Sequence, residues 1–201
     1  MGLWLWLTIL GGIIIAILAI KIGFFETFAA SFNTVLAIYA ALFFTPFILT
    51  LAPQAADIPY GLAITSFAVG IGVFLILFAI CFFLITGQFT VPFPKLFDVV
   101  FAGVLGFLIG FLAISFALVT VSRTTVAGRS QWIPAETLAP NTDYLCWWCD
   151  HVHRRVGSGN WQTDRPTQEV LAWFAERAQR PSRPEESPDD PNAPLSETPE
   201  T

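Results

Sequence analysis

Long apolar runs separated by short clusters of glycine, proline and polar residues dominate the first 121 positions of the chain. The runs cover residues 3–20, 24–51, 61–85 and 96–121. Gly23, then "APQAADIPYG" (52–61) and "GQFTVPFPK" (87–95), divide them. A helix that crosses the hydrocarbon core of a bilayer needs about 20 mostly apolar residues, and each run meets that length. The second is long enough to tilt. Pro and Gly clusters mark turns, so the pattern predicts four membrane-spanning helices joined by short connections. Pro46 predicts a kink near the far end of the second.

The alternative of a soluble core fails on pattern. Four runs of this length with at most one charge each leave no amphipathic helices with which to solvate a surface. The period-two alternation of a β-barrel is absent. In lipid every backbone polar group must be satisfied within the protein. The predicted fold is therefore an all-α membrane protein, a four-helix transmembrane bundle with a short polar C-terminal extension. Trp4 and Trp6 suit an interfacial belt. No basic residue precedes the first run and Lys21 follows it, which argues for a retained span over a cleaved signal segment.

Charge sharpens this division. Of 201 residues only 12% are charged, and five of those charges precede Arg123: Lys21, Glu26, Asp57, Lys95 and Asp98. The other 20 lie from Arg123 onward. The net charge of −5 comes largely from residues 181–201, which carry six acidic residues and one arginine. The predicted organisation is a membrane domain over 1–122, a polar segment with membrane-surface or amphipathic helices over 123–180, and a disordered acidic, proline-rich tail over 181–201. No basic patch with interleaved aromatics supports nucleic-acid binding. An even number of spans puts both termini on one side. Lys21 and Lys95 fall in the short loops of the other side, which favours termini outside the cytoplasm.

Within the last run, "LFDVVFAGVLGFLIGF" (96–111) places Asp98, Ala102, Gly106 and Gly110 four residues apart, along one helical stripe. Small residues allow the close backbone approach on which helix association in lipid depends. Ala102, Gly106 and Gly110 thus predict a packing seam against another span or another copy. Asp98 lies in the first turn of that run, where a negative charge suits the helix N-terminus. Lys95 can pair with it or reach the headgroups. In the second run Glu26, Ala30, Asn33, Ala37 and Ala41 share a stripe, with Glu26 near the helix start and Asn33 deep enough to bond across helices.

These features resemble the colicin V production protein (CvpA) family. The likeness rests on the Asp98 stripe of the last span, on "KIGFFETF" (21–28) after the first, and on "SQWIP" (130–134) after the fourth. It covers about residues 1–135. The chain departs from the family pattern in several places. Ile22 stands where a basic residue usually precedes the turn glycine, and Thr27 stands at the usual acidic position. Ala102 replaces the first glycine of the stripe, and Ile109 replaces a basic residue. The resemblance implies a bacterial inner-membrane protein linked to production or export of a peptide toxin, with no established chemistry of its own.

The polar segment holds "YLCWWCDHVHRR" (144–155). Cys146, Cys149, His151 and His153 are the residue types of a zinc site, but all four fall within eight residues, too close for the usual two-pair spacing. No metal and no cofactor is therefore predicted. A Cys146–Cys149 disulfide remains open if that side is oxidising. The favoured reading places Tyr144, Leu145, Trp147 and Trp148 at the membrane surface with Arg154 and Arg155 near headgroups. Residues 167–178 predict a short amphipathic helix with Val170, Leu171, Phe174 and Ala178 on one face. No phosphate loop, zincin helix or nucleophile elbow occurs, so the chain is predicted to be no enzyme. Its expected partners are the lipid bilayer and other membrane proteins or itself. The leading function is a non-catalytic factor acting through helix–helix contacts. A small oligomeric transporter or channel lined by Glu26, Asn33 and Asp98 is the alternative, and a thiol or metal sensor at 146–153 a second.

Overall fold

The computed structural model of the chain describes residues 3–52, 54–58, 60–83, 94–124, 135–156 and 166–179. Among them the structure is all-helical. Four helices are long and apolar enough to cross a membrane: α1 (Leu3–Ile22), α2 (Phe24–Leu51), α4 (Gly61–Cys81) and α5 (Lys95–Ser122). A single turn, α3 (Gln54–Asp57), bridges α2 and α4. After α5 come a 3₁₀ turn (Ala135–Leu138) and two amphipathic helices, α6 (Ala139–Val156) and α7 (Pro166–Gln179).

Helix boundaries follow the breakers closely. The last described helical residues after α4 are Phe82 and Phe83, which widen into a π-type turn. Predicted span residues 84 and 85 lie outside the described residues, as do "SQWIP" and the acidic tail. α2 runs unbroken through Pro46. At 28 residues each, α2 and α5 measure about 42 Å, longer than the roughly 30 Å hydrocarbon core. Both therefore tilt or project beyond it.

The spans pack in the order α1–α5–α2–α4, with α4 held mainly by α2. This row explains the exposures. The central helices α2 and α5 are the best buried, whereas α4 at the end exposes Ile64, Ile71, Leu75, Ile76, Phe78 and Ile80. Lipid accepts such faces at no hydrophobic cost. The amphipathic pair α6 and α7 covers part of the row. Leu145, Cys146 and Cys149 of α6, with Leu171 and Phe174 of α7, join Ile38, Leu42, Leu112, Phe116 and Val119 in one apolar cluster. α7 matches the predicted amphipathic helix: Leu171 and Phe174 are buried and Val170 half-buried. The side chain of Ala178 lies outside the described residues.

Candidate functional site

Three constructions bring the sequence-predicted residues to their places: a close seam, a cap supplied from another helix, and a polar seat for α6.

The seam joins α1 and α5, which run antiparallel. Ala102, Gly106 and Gly110 are buried. A Cβ built on Gly106 would stand 2.4 Å from Ala19 Cβ and 3.0 Å from Ala16 Cα. One built on Gly110 would stand 2.9 Å from Ile15 Cβ and 3.1 Å from Gly12 Cα. Ile20 packs at Gly103, and Phe107 lies against Gly12. The α5 stripe was visible in the sequence, but its counterpart was not identified there. Gly12, Ala16 and Ala19 supply it, and their spacings of four and three residues are the signal that could have found it.

Below the seam, α1 passes into α2 through one residue. The Gly23 N–H donates to Ala19 O at 2.9 Å, closing α1, and Gly23 O accepts from Thr27 N–H at 3.1 Å, opening α2. Gly23 has φ +103°, a conformation in which any Cβ is strained. A glycine at a helix start offers no side chain to the first orphan N–H groups. Asp98 provides the missing oxygen from α5: the Phe24 N–H donates to Asp98 Oδ1 at 2.7 Å. Asp98 lies in the first turn of α5, and its carboxylate also reaches across to the N-terminus of α2. Phe97 and Phe101 pack edge-on against Phe24 beside it. The hydroxyl of Thr27 donates to Gly23 O at 2.7 Å and lies 3.3 Å from Ala19 O. At that position a hydroxyl donor adds a second bond to carbonyls that already accept backbone N–H groups.

Other predicted polar residues separate. Lys21, Glu26 and Lys95 are exposed. Glu26 lies on the same helical stripe as Asn33, Ala37 and Ala41 but is exposed in the first turn of α2, whereas those three are buried. Asn33 is 1% exposed and its Oδ1 accepts from the Cys81 thiol at 3.4 Å. Higher on α2, the Thr45 hydroxyl donates to Ala41 O at 2.5 Å and lies 3.1 Å from Ser66 Oγ of α4. These polar pairs tie α4 to α2 at separate points.

The polar seat of α6 lies toward the opposite end, where α1 begins and α5 ends. Asn141 Nδ2 donates to Thr8 Oγ1 of α1 at 2.9 Å and to Ser115 Oγ of α5 at 3.0 Å, with all three residues fully buried. Tyr144 donates to Leu108 O at 3.3 Å. At the far end of α6, His153 Nδ1 lies 2.9 Å from the Tyr39 hydroxyl of α2, and its ring stacks on Phe43 with centroids 4.8 Å apart. Asp150 then caps α7, accepting the Thr167 N–H at 3.0 Å and the Thr167 hydroxyl as well. An aspartate on one helix capping another occurs at both places.

The Cys/His segment resolves into two sides of α6. Leu145, Cys146, Cys149 and His153 face the protein and are buried, which corrects the expectation that Leu145 lies at the surface. Trp147 is exposed and stacks on His151. Both cysteines are free thiols. Burial, reinforced by Asp150 and Asp143, pushes the Cys146 thiol up to about 11. Burial raises the Cys149 thiol further. Thiolate is the form that attacks electrophiles and binds metals, so this environment suppresses both. Burial lowers the His153 imidazole against a smaller opposing pull from Asp150. Among the described residues, no group of three or more His, Cys, Asp or Glu side chains is arranged to hold a metal ion.

Residues 4–144 match the family model described as Colicin V production protein. No curated protein and no solved structure matches the chain. The matched region takes in all four spans, the Gly23 turn, Asp98, the seam and the start of α6 through Asn141 and Tyr144. The two thiols, both histidines and α7 follow it. With most of its length, and every span, inside that match, the chain belongs to the colicin V production protein family.

Proposed function

We propose that this protein is a non-catalytic factor of the bacterial inner membrane that supports production or export of a peptide toxin, or the envelope function on which export depends, through helix–helix contacts. The observation that carries this reading is the family match, which coincides with the four apolar helices. The arrangement of side chains agrees with it. Three polar pairs of the membrane domain join helices: Asp98 with Phe24, Asn33 with Cys81, Thr45 with Ser66. The exposed apolar face of α4 leaves room for contact with a second copy or with another membrane protein.

The transporter alternative takes second place. Its three lining candidates are apart: Glu26 is exposed, Asn33 is buried against Cys81, and Asp98 is bonded to α2. The thiol or metal sensor falls lower still, because both thiols are buried and hard to ionise.

The test is genetic. In a toxin-producing bacterial host, deletion of the chain should lower secreted toxin without lowering its intracellular synthesis. The wild-type chain should restore secretion, and a stably expressed Gly106→Leu chain should not. Unchanged secretion in the deletion strain would remove this function. Solute flux through the purified protein in liposomes, altered by Asp98→Asn, would promote the transporter instead.

A further inference from the structure

α6 crosses the row of spans at a nearly constant level. Its start meets Thr8 of α1 and Ser115 of α5, and its end meets Tyr39 and Phe43 of α2. Thr8 stands 15 positions before Gly23 and Tyr39 stands 16 after it. Ser115 stands 17 after Asp98, which lies beside the same turn. At 1.5 Å per residue, all three are about 22–26 Å from the Gly23 turn. Lys21, Glu26 and Lys95 gather around that turn and mark one membrane surface. A hydrocarbon core of about 30 Å then ends just beyond α6. The helix therefore lies in the plane of the bilayer, under the opposite surface.

The face of α6 turned away from the row carries charge. Asp143, Trp147 and Arg154 are exposed, and steps of four and seven residues set them on one stripe. The stripe is acidic at its start and basic at its end, with the 56% exposed Trp147 between. It points sideways, opposite to the side on which Leu145, Cys146 and Cys149 join the apolar cluster of α2 and α5. α7 meets α6 beside the stripe, through Asp150 and Thr167, and leaves it open. From that depth a long arginine can reach the headgroups, but a short aspartate cannot. A carboxylate facing acyl chains is costly, so the stripe calls for a polar cover.

We propose that this cover is the same stripe of a second copy, and that the chain forms a two-fold dimer through α6. Two chains inserted with the same orientation can share a two-fold axis only along the membrane normal, and the contact is then self-complementary. A helix lying in the membrane plane meets its copy antiparallel across such an axis. That register sets Asp143 against Arg154 of the second copy, and Arg154 against its Asp143. Both Trp147 rings come to lie beside the axis. Opposite charges meet twice and like charges stay apart. A tryptophan at the centre of a contact is a common anchor of interfaces. Anionic headgroups fit the stripe less well, because its acidic end repels them. Most of the stripe follows residue 144, where the family match ends. The proposal is independent of any role in toxin export.

The test is crosslinking of the full chain in bacterial membranes. Two differently tagged copies are co-expressed, one of them with the photoreactive benzoylphenylalanine in place of Trp147. The expected result is an adduct between the two tagged copies. Asp143→Arg in both copies, or Arg154→Asp in both, should lower its yield per inserted chain roughly fivefold or more. Asp143→Arg in one copy with Arg154→Asp in the other places opposite charges together again at both ends. That combination should restore the yield to within about twofold of the parent, which also shows that both variants fold. An adduct to lipid alone, or to an unrelated protein alone, overturns the proposal, as does the absence of any adduct. So does a yield that ignores the single reversals or is not restored by the mixed pair. An adduct that forms from the exposed Leu75 of α4 but not from position 147 moves the contact to α4 and overturns it too.

Discussion

The α1–α5 seam and the seat of α6 are both helix contacts, yet they are built from opposite materials. The seam is apolar and close: Gly106 and Gly110 let α5 approach α1 until an added Cβ would overlap Ala19 and Ile15. The seat is polar: Asn141 bonds to Thr8 and Ser115, and His153 meets Tyr39. The difference reflects surroundings. Between two spans in hydrocarbon, burial of apolar surface gives no net drive, and fit has to supply it. α6 is an amphipathic helix outside the spans, and its buried polar groups would be costly without partners. The seam should therefore fail abruptly on any gain in volume. The seat should weaken in steps as single hydrogen bonds are removed.

The largest effect is expected from Gly106→Leu. The nearest obstacles include the backbone of Ala16 and Ile15, which cannot rotate aside, and overpacking of this kind costs about 1–3 kcal/mol or more. Thermal unfolding of the purified protein in nanodiscs should show it. On the polar side, Asn141→Ala removes the bonds to Thr8 and Ser115, and Thr8 keeps its own bond to Trp4 O, for about 2 kcal/mol. It should also raise thiol labelling of Cys146 while leaving the α1–α5 contact intact. A matched loss at both places would show the two regions to be one unit. Asp98→Ala should cost about 1 kcal/mol through loss of the α2 cap, and hydrogen exchange at Phe24 should report it locally. Tyr39→Phe should cost about 1 kcal/mol or less and loosen only the C-terminal end of α6. Gly72→Ala sets the floor. Nothing lies within 4 Å of a Cβ there, so its stability should stay within about 0.5 kcal/mol of the parent.

The two regions also differ in how readily the sequence disclosed them. Ala102, Gly106 and Gly110 recur every four residues on one helix, and a local period can be read without knowing the partner. The four spans were legible for the same reason. The seat was not, because its pairs are separated by 133 and 114 positions. Neither Thr8 nor Tyr39 stands out in its own helix. Asp98 lies between these cases. Its place in a first turn suggested a cap, but a carboxylate can serve any N-terminus within reach, and only the packing of α5 beside the Gly23 turn selects α2. Leu145 was read as interfacial from its tryptophan neighbours, and helical rotation turned it inward.

Gly23 links two membrane helices with no residue to spare, since it ends one hydrogen-bond ladder and begins the next. Two rods joined at a single peptide share one pivot, and neither can slide along its axis without dragging the other. During synthesis such a pair has no loop long enough to hold the first helix in the bilayer while the second waits outside. The two helices should therefore enter the lipid as one piece. A flexible insertion at this pivot would uncouple insertion from assembly while leaving every other contact in the molecule available.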